Sequence, residues 1–156
     1  MGMESARAWL AARGLEDRIR EFDVSSATVE LAAQALGVEP GHIAKTLSFY
    51  DGESALLILA AGDAKIDNRK FKDRFGFKAK MLSPDDALRF TGHAVGGICP
   101  FGLAAPLPVY LDASLRRYDT VYPACGTGNS AVALTCDELE RASEAAGWVD
   151  VTKDMA

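Results

Sequence analysis

The stretch IAKTLSF, residues 43–49, alternates as a β-strand does and places a lysine among large apolar residues. Successive side chains of a strand point to opposite faces of its sheet. One face would carry Ile43, Lys45, Leu47 and Phe49, and the other Ala44, Thr46 and Ser48. Such a lysine either lays its stem along the sheet with its ammonium in water, or holds the ammonium at a pocket wall to bind an anionic or carbonyl oxygen.

The sequence around this strand predicts an α+β fold. Helices are predicted to begin at Glu4, Thr28, Asp67, Ser83 and Thr135, with glycine stops at Gly14, Gly37 and Gly147. A turn at Asp51-Gly52 joins the strand of residues 43–49 to a second strand, ALLILAAG. Further strands are predicted at IREFDV, PVYLD, TVYPA, SAVALT and WVDVT. We expect one domain over residues 1–156, with a curved, mostly antiparallel mixed sheet or barrel and helices packed around it.

The composition predicts a protein of the cytoplasm. The chain has 156 residues, 49% of them hydrophobic, which suits a compact domain with a substantial core. It contains no apolar run of about 18 residues, and its start lacks a basic segment followed by an apolar one. Three widely spaced cysteines, Cys99, Cys125 and Cys136, do not make a disulfide framework.

The inventory of metal ligands is poor. The only two histidines are His42 and His93, and neither stands at a spacing typical of zinc sites. A site assembled by folding from His93, Cys99 and Cys125 is conceivable, but no motif supports it. We therefore expect no metal and no cofactor.

Positive charge is concentrated in one segment of an acidic chain. The net charge is −5, which argues against a protein that coats nucleic acid without specificity. Residues 65–80 nevertheless contain seven basic and two acidic residues. The segment is either the solvated face of a helix or a surface for a phosphate backbone.

The sequence GGICP, residues 96–100 and called the glycine loop below, is the second candidate for chemistry. Adjacent glycines permit backbone angles closed to other residues and let a ligand approach main-chain N–H groups. Such N–H groups can stabilise a carbonyl oxygen that gains charge during acyl transfer. A purely structural turn is the alternative.

The order of these features resembles the YbaK/prolyl-tRNA-synthetase-associated (ProX-like) editing domain family. The resemblance is carried by TVELAAQALGV, IAKTL, GDAKIDNRKFK, TGHAVGGICPFG and VYLDASL, and covers roughly residues 5 to 150. It implies a trans-acting, metal-independent deacylase that hydrolyses the ester of a mischarged tRNA. The alternative is a non-catalytic module that binds aminoacyl ends or a synthetase.

The resemblance also implies roles for individual residues. Lys45 would be the functional lysine that holds the 3′ end of the substrate. The residues implied around the aminoacyl group are Thr28, His93, Gly96, Gly97, Ile98, Cys99 and Pro100. Cys99 need not attack the ester, since the family uses water or a group of the substrate, and a packing role is the alternative for it.

The basic segment supplies the residues expected to bind tRNA, which are Lys65, Arg69, Lys70 and Arg74. The expected partners are the 3′ end of a mischarged tRNA and an aminoacyl-tRNA synthetase. We expect no membrane association, and we expect the protein to be a monomer or a weak dimer. Two positions depart from the Cys-tRNA(Pro) deacylase branch, because Thr28 replaces an aromatic residue and no acidic residue stands near Ala131. Thr28 favours a small or polar amino acid such as serine, threonine or alanine.

Overall fold

The computed structural model describes residues 2–154, and within them the chain forms five α-helices and eight β-strands. The helices are α1 (Gly2–Ala11), α2 (Val29–Leu36), α3 (Asn68–Phe75), α4 (Pro84–Thr91) and α5 (Cys136–Ser143). The strands are β1 (Ile19–Glu21), β2 (Ala44–Asp51), β3 (Ser54–Ala61), β4 (Val109–Asp112), β5 (Thr120–Val121), β6 (Ser130–Val132), β7 (Leu134–Thr135) and β8 (Gly147–Val149). The predicted α+β class is confirmed.

The described strands form three sheets and do not close into a barrel. The largest has the order β2-β3-β4-β8, and the pairs β1-β6 and β5-β7 form two small antiparallel sheets. In the largest sheet only β2-β3 is antiparallel, whereas β3-β4 and β4-β8 are parallel. The predicted mixed sheet is confirmed, with antiparallel pairing in three of the five strand pairs, whereas the predicted barrel is not formed by the described strands. The long connection through α3 and α4 brings β4 back beside β3 in the same direction, as parallel pairing requires.

The β2-β3 hairpin buries a different partner on each face. On one face Phe49 lies opposite Leu56, and the Phe49 ring packs 4.9 Å from the ring of Phe71 in α3. On the other face Ser48 lies opposite Leu57, which belongs to the main core together with Leu10 of α1. The strand β3 is therefore buried on both faces, as its unbroken apolar sequence predicts.

Local capping signals correctly predicted the starts of α2, α3, α4 and α5, whereas α1 begins at Gly2 and not at the predicted Glu4. The side chains of Thr28, Asp67 and Ser83 each accept a main-chain N–H of the helix that follows. Thr135 and Glu138 form the predicted capping box of α5.

Two further boundaries predicted from the sequence were wrong. Helix α5 ends at Ser143, where Glu144 adopts a left-handed φ of 52°, and Gly147 belongs to β8 because it pairs with Tyr110 of β4. The segment SAVALT divides into β6 and β7, since Val132 pairs with β1 and Leu134 with β5.

A buried carboxylate ties β4 to the chain that follows β8. Asp112 is 0% exposed, and its two oxygens accept hydrogen bonds from the Val151 N–H at 2.8 Å, the Thr152 hydroxyl at 2.8 Å and the Ser114 N–H at 2.9 Å. A buried donor that loses its acceptor costs about 1–3 kcal/mol. Asp112 therefore contributes to folding and has no contact with the cavity described below.

We predict that Asp112→Ala lowers the free energy of unfolding by about 3 kcal/mol, because it leaves three donors without their acceptor. Urea unfolding monitored by circular dichroism measures this value. Asp23→Ala, which changes an exposed aspartate, is the control and should stay within about 0.5 kcal/mol of the wild type. Equal effects of the two substitutions would contradict the role assigned to Asp112.

Candidate functional site

A cavity of about 210 Å³ opens between β2, the start of α2, α4, the glycine loop and the chain around β6. Most of its lining side chains are small or hydroxyl-bearing, and Lys45 is the one charged residue among them. The lining residues are Ser26, Ala27, Thr28, Val29, Ala32, Ile43, Ala44, Lys45, Thr46, Ser48, Met81, Leu82, Ala87, Val95, Gly96, Ile98, Tyr122, Ala124, Ser130 and Ala131.

The structure brings only part of the predicted site to this cavity. The predicted substrate-contacting residues that line it are Thr28, Lys45, Gly96 and Ile98. Those that lie outside its lining are His93, Gly97, Cys99 and Pro100. The segments are far apart in sequence, so the fold and not local spacing assembles the site.

Lys45 is half-buried, and main-chain carbonyls hold its ammonium. Its Nζ donates a hydrogen bond to the Ala64 carbonyl and lies 3.4 Å from the carbonyl oxygen of Gly62. Burial lowers the pKa of Lys45, and the nearby carboxylates of Asp63 and Glu30 oppose this shift. An ammonium has three N–H donors, so one donor remains for a ligand.

The carbonyls that hold Lys45 adjoin the cavity wall. Gly62 is packed so closely that a Cβ atom there would lie 2.7 Å from Cγ1 of Val29 and 3.2 Å from Cβ of Ile43. Both of these side chains line the cavity. The Lys45 ammonium is therefore fixed at the wall of the cavity.

Only the start of the large apolar face of residues 43–49 walls the cavity, because Ile43 and Lys45 line it whereas Leu47 and Phe49 do not. Leu47 and Phe49 on that face pack into a cluster with Phe71, on the side of α3. The cavity lies against the opposite face, through Ala44, Thr46 and Ser48. By the alternation of the strand, Lys45 belongs to the apolar face of β2. It nevertheless lines the cavity, because β2 is an edge strand and its first residues border the cavity.

Two hydroxyl groups that the sequence reasoning missed are the most informative groups of the cavity. The side-chain oxygens of Ser26 and Thr46 are buried and have no hydrogen-bond partner among residues 2–154. Both residues line the cavity. A buried polar group without a partner is costly, so these hydroxyls are suited to bind polar atoms of a ligand. The only sequence signal was the row of small polar residues on one face of β2.

Thr28 and Ala131, the two positions that depart from the Cys-tRNA(Pro) deacylase branch, both line the cavity. The Thr28 oxygen accepts the Leu31 N–H at 3.2 Å as the cap of α2, and the residue is exposed. Its hydroxyl can still donate one hydrogen bond toward the entrance.

The two glycines of the glycine loop have different roles. Gly96 lines the cavity, and its φ of +98° is the left-handed value that a turn requires at its third residue. The Gly97 N–H already donates to the Ala94 carbonyl at 2.9 Å and closes this turn. A Cβ atom at Gly97 would lie 2.5 Å from the main-chain N of Thr127. Gly97 therefore allows a close main-chain contact, and its N–H is not available to a substrate.

His93 and Cys99 pack together in the core. His93 is 0% exposed, and its Nε2 lies 2.8 Å from the Phe101 carbonyl oxygen and 3.5 Å from Sγ of Cys99. Burial lowers the pKa of His93 and raises the pKa of Cys99, and both shifts favour the neutral form of the group. This environment favours a packing role for Cys99 over a role as the nucleophile.

The predicted tRNA-binding residues differ in exposure and in the partners of their charged groups. Lys65 and Arg69 are exposed, and the charge of Lys65 lowers the pKa of Lys45. The Lys70 ammonium lies 2.8 Å from Oδ1 of Asp154 and 3.3 Å from Oδ1 of Asp150. The Arg74 guanidinium lies 5.1 Å from the ring centre of Phe75 and 5.5 Å from that of Tyr110. Of the four residues, Lys65 has the clearest electrostatic link to the site.

Neither a metal-binding cluster nor a membrane span is found in residues 2–154. No group of three or more histidine, cysteine, aspartate or glutamate side chains is arranged to hold a metal ion there. No helix in that range is long and apolar enough to cross a bilayer.

Comparison with known proteins places these features in a family. The model of the aminoacyl-tRNA editing domain matches residues 23–142. The chain is 53% identical over 155 residues to the protein YwhH of Bacillus subtilis, with 99% of each chain covered. It is 28% identical to EbsC of Enterococcus faecalis, named as a candidate Cys-tRNA(Pro)/Cys-tRNA(Cys) deacylase, over 72% of this chain and 70% of EbsC. A proline–tRNA ligase of Trichlorobacter lovleyi is 34% identical over 91 residues, which are 57% of this chain and 16% of the ligase.

A solved structure agrees with this result. A candidate trans-editing enzyme for prolyl-tRNA synthetase superposes with a TM-score of 0.88 at 32% identity, with 98% of each chain covered. The match extends over both the hairpin and the segments that surround the cavity. The chain belongs to the aminoacyl-tRNA editing domain family.

Proposed function

We propose that this protein is a free-standing aminoacyl-tRNA deacylase that hydrolyses the ester between a wrong amino acid and the 3′ end of a tRNA. The observation that carries the proposal is the cavity itself, in which Lys45 stands beside two buried hydroxyls that lack partners. Membership of the editing family and the 70% coverage of a relative named as a deacylase support it.

The proposed reaction needs a polarised ester and a water molecule. Water forms a bond to the carbonyl carbon, the bond from that carbon to the ribose oxygen breaks, and the water proton passes to the ribose oxygen. Negative charge develops on oxygen during the attack, and the remaining donor of Lys45 is placed to stabilise it or an adjacent phosphate. The cavity lining contains no histidine, aspartate or glutamate, so a group of the substrate or solvent carries the proton.

The cavity favours a small amino acid with a polar side chain. Its volume of about 210 Å³ is below the roughly 300–1,000 Å³ of pockets that enclose a drug-sized ligand, and several of its lining side chains carry hydroxyl groups. The Ser26 and Thr46 hydroxyls gain partners if the amino acid carries a hydroxyl or its free amino group points at them. Serine and threonine therefore fit better than alanine.

The partners follow from the same proposal. The substrate is the 3′ end of a mischarged tRNA, and Lys65, Arg69 and Arg74 are the exposed residues among the four predicted to bind its backbone. Lys70 and Arg74 remain weaker candidates, because their charged groups already have partners within the chain. An aminoacyl-tRNA synthetase is a further candidate partner, given the likeness to a candidate trans-editing enzyme for one.

Removing the ammonium is the first test. We predict that Lys45→Ala lowers the single-turnover rate of deacylation by about ten- to a hundredfold, the value of one charge-assisted contact of roughly 1.5–3 kcal/mol. A panel of seryl-, threonyl-, alanyl- and cysteinyl-tRNAs identifies the preferred substrate beforehand. Lys72→Ala, an exposed lysine of α3, is the control. Normal hydrolysis by folded Lys45→Ala protein would exclude Lys45 from the mechanism, and binding without hydrolysis by the wild type would favour the non-catalytic module.

The Thr46 hydroxyl, which has no hydrogen-bond partner, gives a second test. Thr46→Val keeps the shape of the side chain and removes a buried group that has no partner, so we predict unchanged or higher stability but about tenfold slower hydrolysis of the preferred substrate. Thr91→Val is the matched control, because the Thr91 hydroxyl donates to the Ala87 carbonyl and accepts the His93 N–H. The control should lose stability and keep a normal rate per folded molecule. The reverse pattern would show that Thr46 is a structural residue.

The glycine loop gives a third test. Gly97→Ala should mainly lower the melting temperature, because its Cβ would overlap the main chain of residues 126 and 127. Gly96→Ala should slow hydrolysis, because its φ of +98° is strained for alanine by about 1–3 kcal/mol and its Cβ would lie 3.1 Å from Ala27 at the cavity wall.

Gly52→Ala controls for backbone strain alone, since Gly52 has a φ of +62° and open space around it. The rate per folded molecule and the melting temperature are measured on the same preparations. A normal rate for folded Gly96→Ala protein would remove the glycine loop from the site.

A further inference from the structure

Large exposed apolar side chains occur in the cavity lining and next to it in the sequence. Among residues 2–154 they are Val24 at 61%, Leu31 at 39%, Met81 at 55%, Leu88 at 48% and Val95 at 64% exposed. Met81 and Val95 line the cavity itself, and the other three stand within two residues of a lining residue. Exposed apolar side chains that surround a cavity indicate a surface that a ligand or partner covers.

The size of the cavity limits what can be inside it. Pockets that enclose a drug-sized ligand measure roughly 300–1,000 Å³, and this cavity measures about 210 Å³. It can hold an aminoacyl group but not the nucleoside to which that group is esterified. If the proposed function is correct, the nucleoside must lie across the entrance.

We propose that Met81 and Val95 form an apolar platform on which the terminal adenine of the tRNA stacks. This inference rests on the proposed function. A purine ring has uncharged flat faces, and covering them with aliphatic side chains removes apolar surface of both partners from water. The platform would recognise the base through its faces and leave the sugar and phosphate to other groups.

The two platform residues are held in place by the main chain. Residues 80–82 run beside β2, with the Tyr50 N–H donating to the Lys80 carbonyl at 2.9 Å and the Leu82 N–H to the Ser48 carbonyl at 3.0 Å. Met81 therefore projects from an anchored segment. Val95 stands in the turn that the Gly97 N–H closes on the Ala94 carbonyl. A preformed platform loses less conformational entropy when the base binds.

The polarity of the entrance matches a nucleotide. Met81 forms a bridge with Phe49, near the far end of β2 from Lys45. Phe49 is the fourth residue after Lys45 along the strand, which is a distance of about 13 Å. An uncharged base at the Met81 end and a phosphate at the Lys45 end would each lie against groups of suitable chemistry. A protein partner would not require this separation of charge.

Binding of a stable substrate analogue tests the platform. The probe is a 3′-aminoacylamino-3′-deoxyadenosine with the amino acid that the wild type hydrolyses fastest, and the reference ligand is the N-methylamide of the same amino acid. Calorimetry measures the Kd of both compounds for the wild type, Met81→Ser, Val95→Ser and the double variant. Leu88→Ser is the control, because Leu88 is also exposed but does not line the cavity.

We expect the wild type to bind the adenosine compound more tightly than the methylamide. Each platform variant should weaken the adenosine compound about five- to tenfold, with less than twofold change for the methylamide and for Leu88→Ser. Unchanged binding by the double variant, or equal losses for both compounds, would overturn the platform.

A different result would also overturn the platform: Leu88→Ser and the double variant both lose binding to a synthetase while nucleoside binding stays intact. The exposed apolar side chains would then form a protein-docking surface. These outcomes overturn only the platform. The proposed function still stands in each of them if the wild type hydrolyses a mischarged tRNA. A wild type that hydrolyses no mischarged tRNA would overturn the proposed function together with the inference.

Discussion

The antiparallel pairing of β2 with β3 is the constraint on which the rest of the structure depends. Its register places Leu47 and Phe49 opposite Ile58 and Leu56, and this apolar face recruits α3 through Phe71. The same register leaves alanine, threonine and serine on the other face, where small side chains cannot fill the space below the start of α2 and the glycine loop. A shift of one residue would exchange the two faces and abolish both the core and the cavity.

Holding Lys45 at the border of these two environments has an electrostatic cost. Burial lowers its pKa, so the unfolded chain binds the proton more tightly than the folded chain does. The charged lysine therefore reduces stability below its folded pKa, and this penalty disappears as the pH rises through the folded and then the unfolded value. The carbonyls of Gly62 and Ala64 and the Asp63 carboxylate offset part of the cost. Asp63 itself is held by Arg117, whose hydrogen bond lowers the pKa of the carboxylate.

Features with local causes could be predicted from the sequence, and features with distant causes could not. The caps at Thr28, Asp67, Ser83 and Thr135 depend on residues within one helical turn, so the sequence identified them. The order of motifs also identified the family. The side of β2 that faces the cavity depends on α2 and on residues near Ala131, which alternation within the strand does not reveal. In the same way, the pairing of Lys70 with Asp154 and the contact of Gly97 with Thr127 join segments far apart in sequence.

The central claim is that the aminoacyl group binds on the small-residue face of β2. A crystal structure of the protein with a non-hydrolysable 3′-aminoacylamino-3′-deoxyadenosine tests it most directly. The account predicts the amino acid between Ser26 and Thr46, within hydrogen-bond distance of at least one of their hydroxyls, and the Lys45 ammonium on the ribose or phosphate side. An amino acid bound outside this cavity, for example on the α3 side of the sheet beside Arg74, would contradict the account.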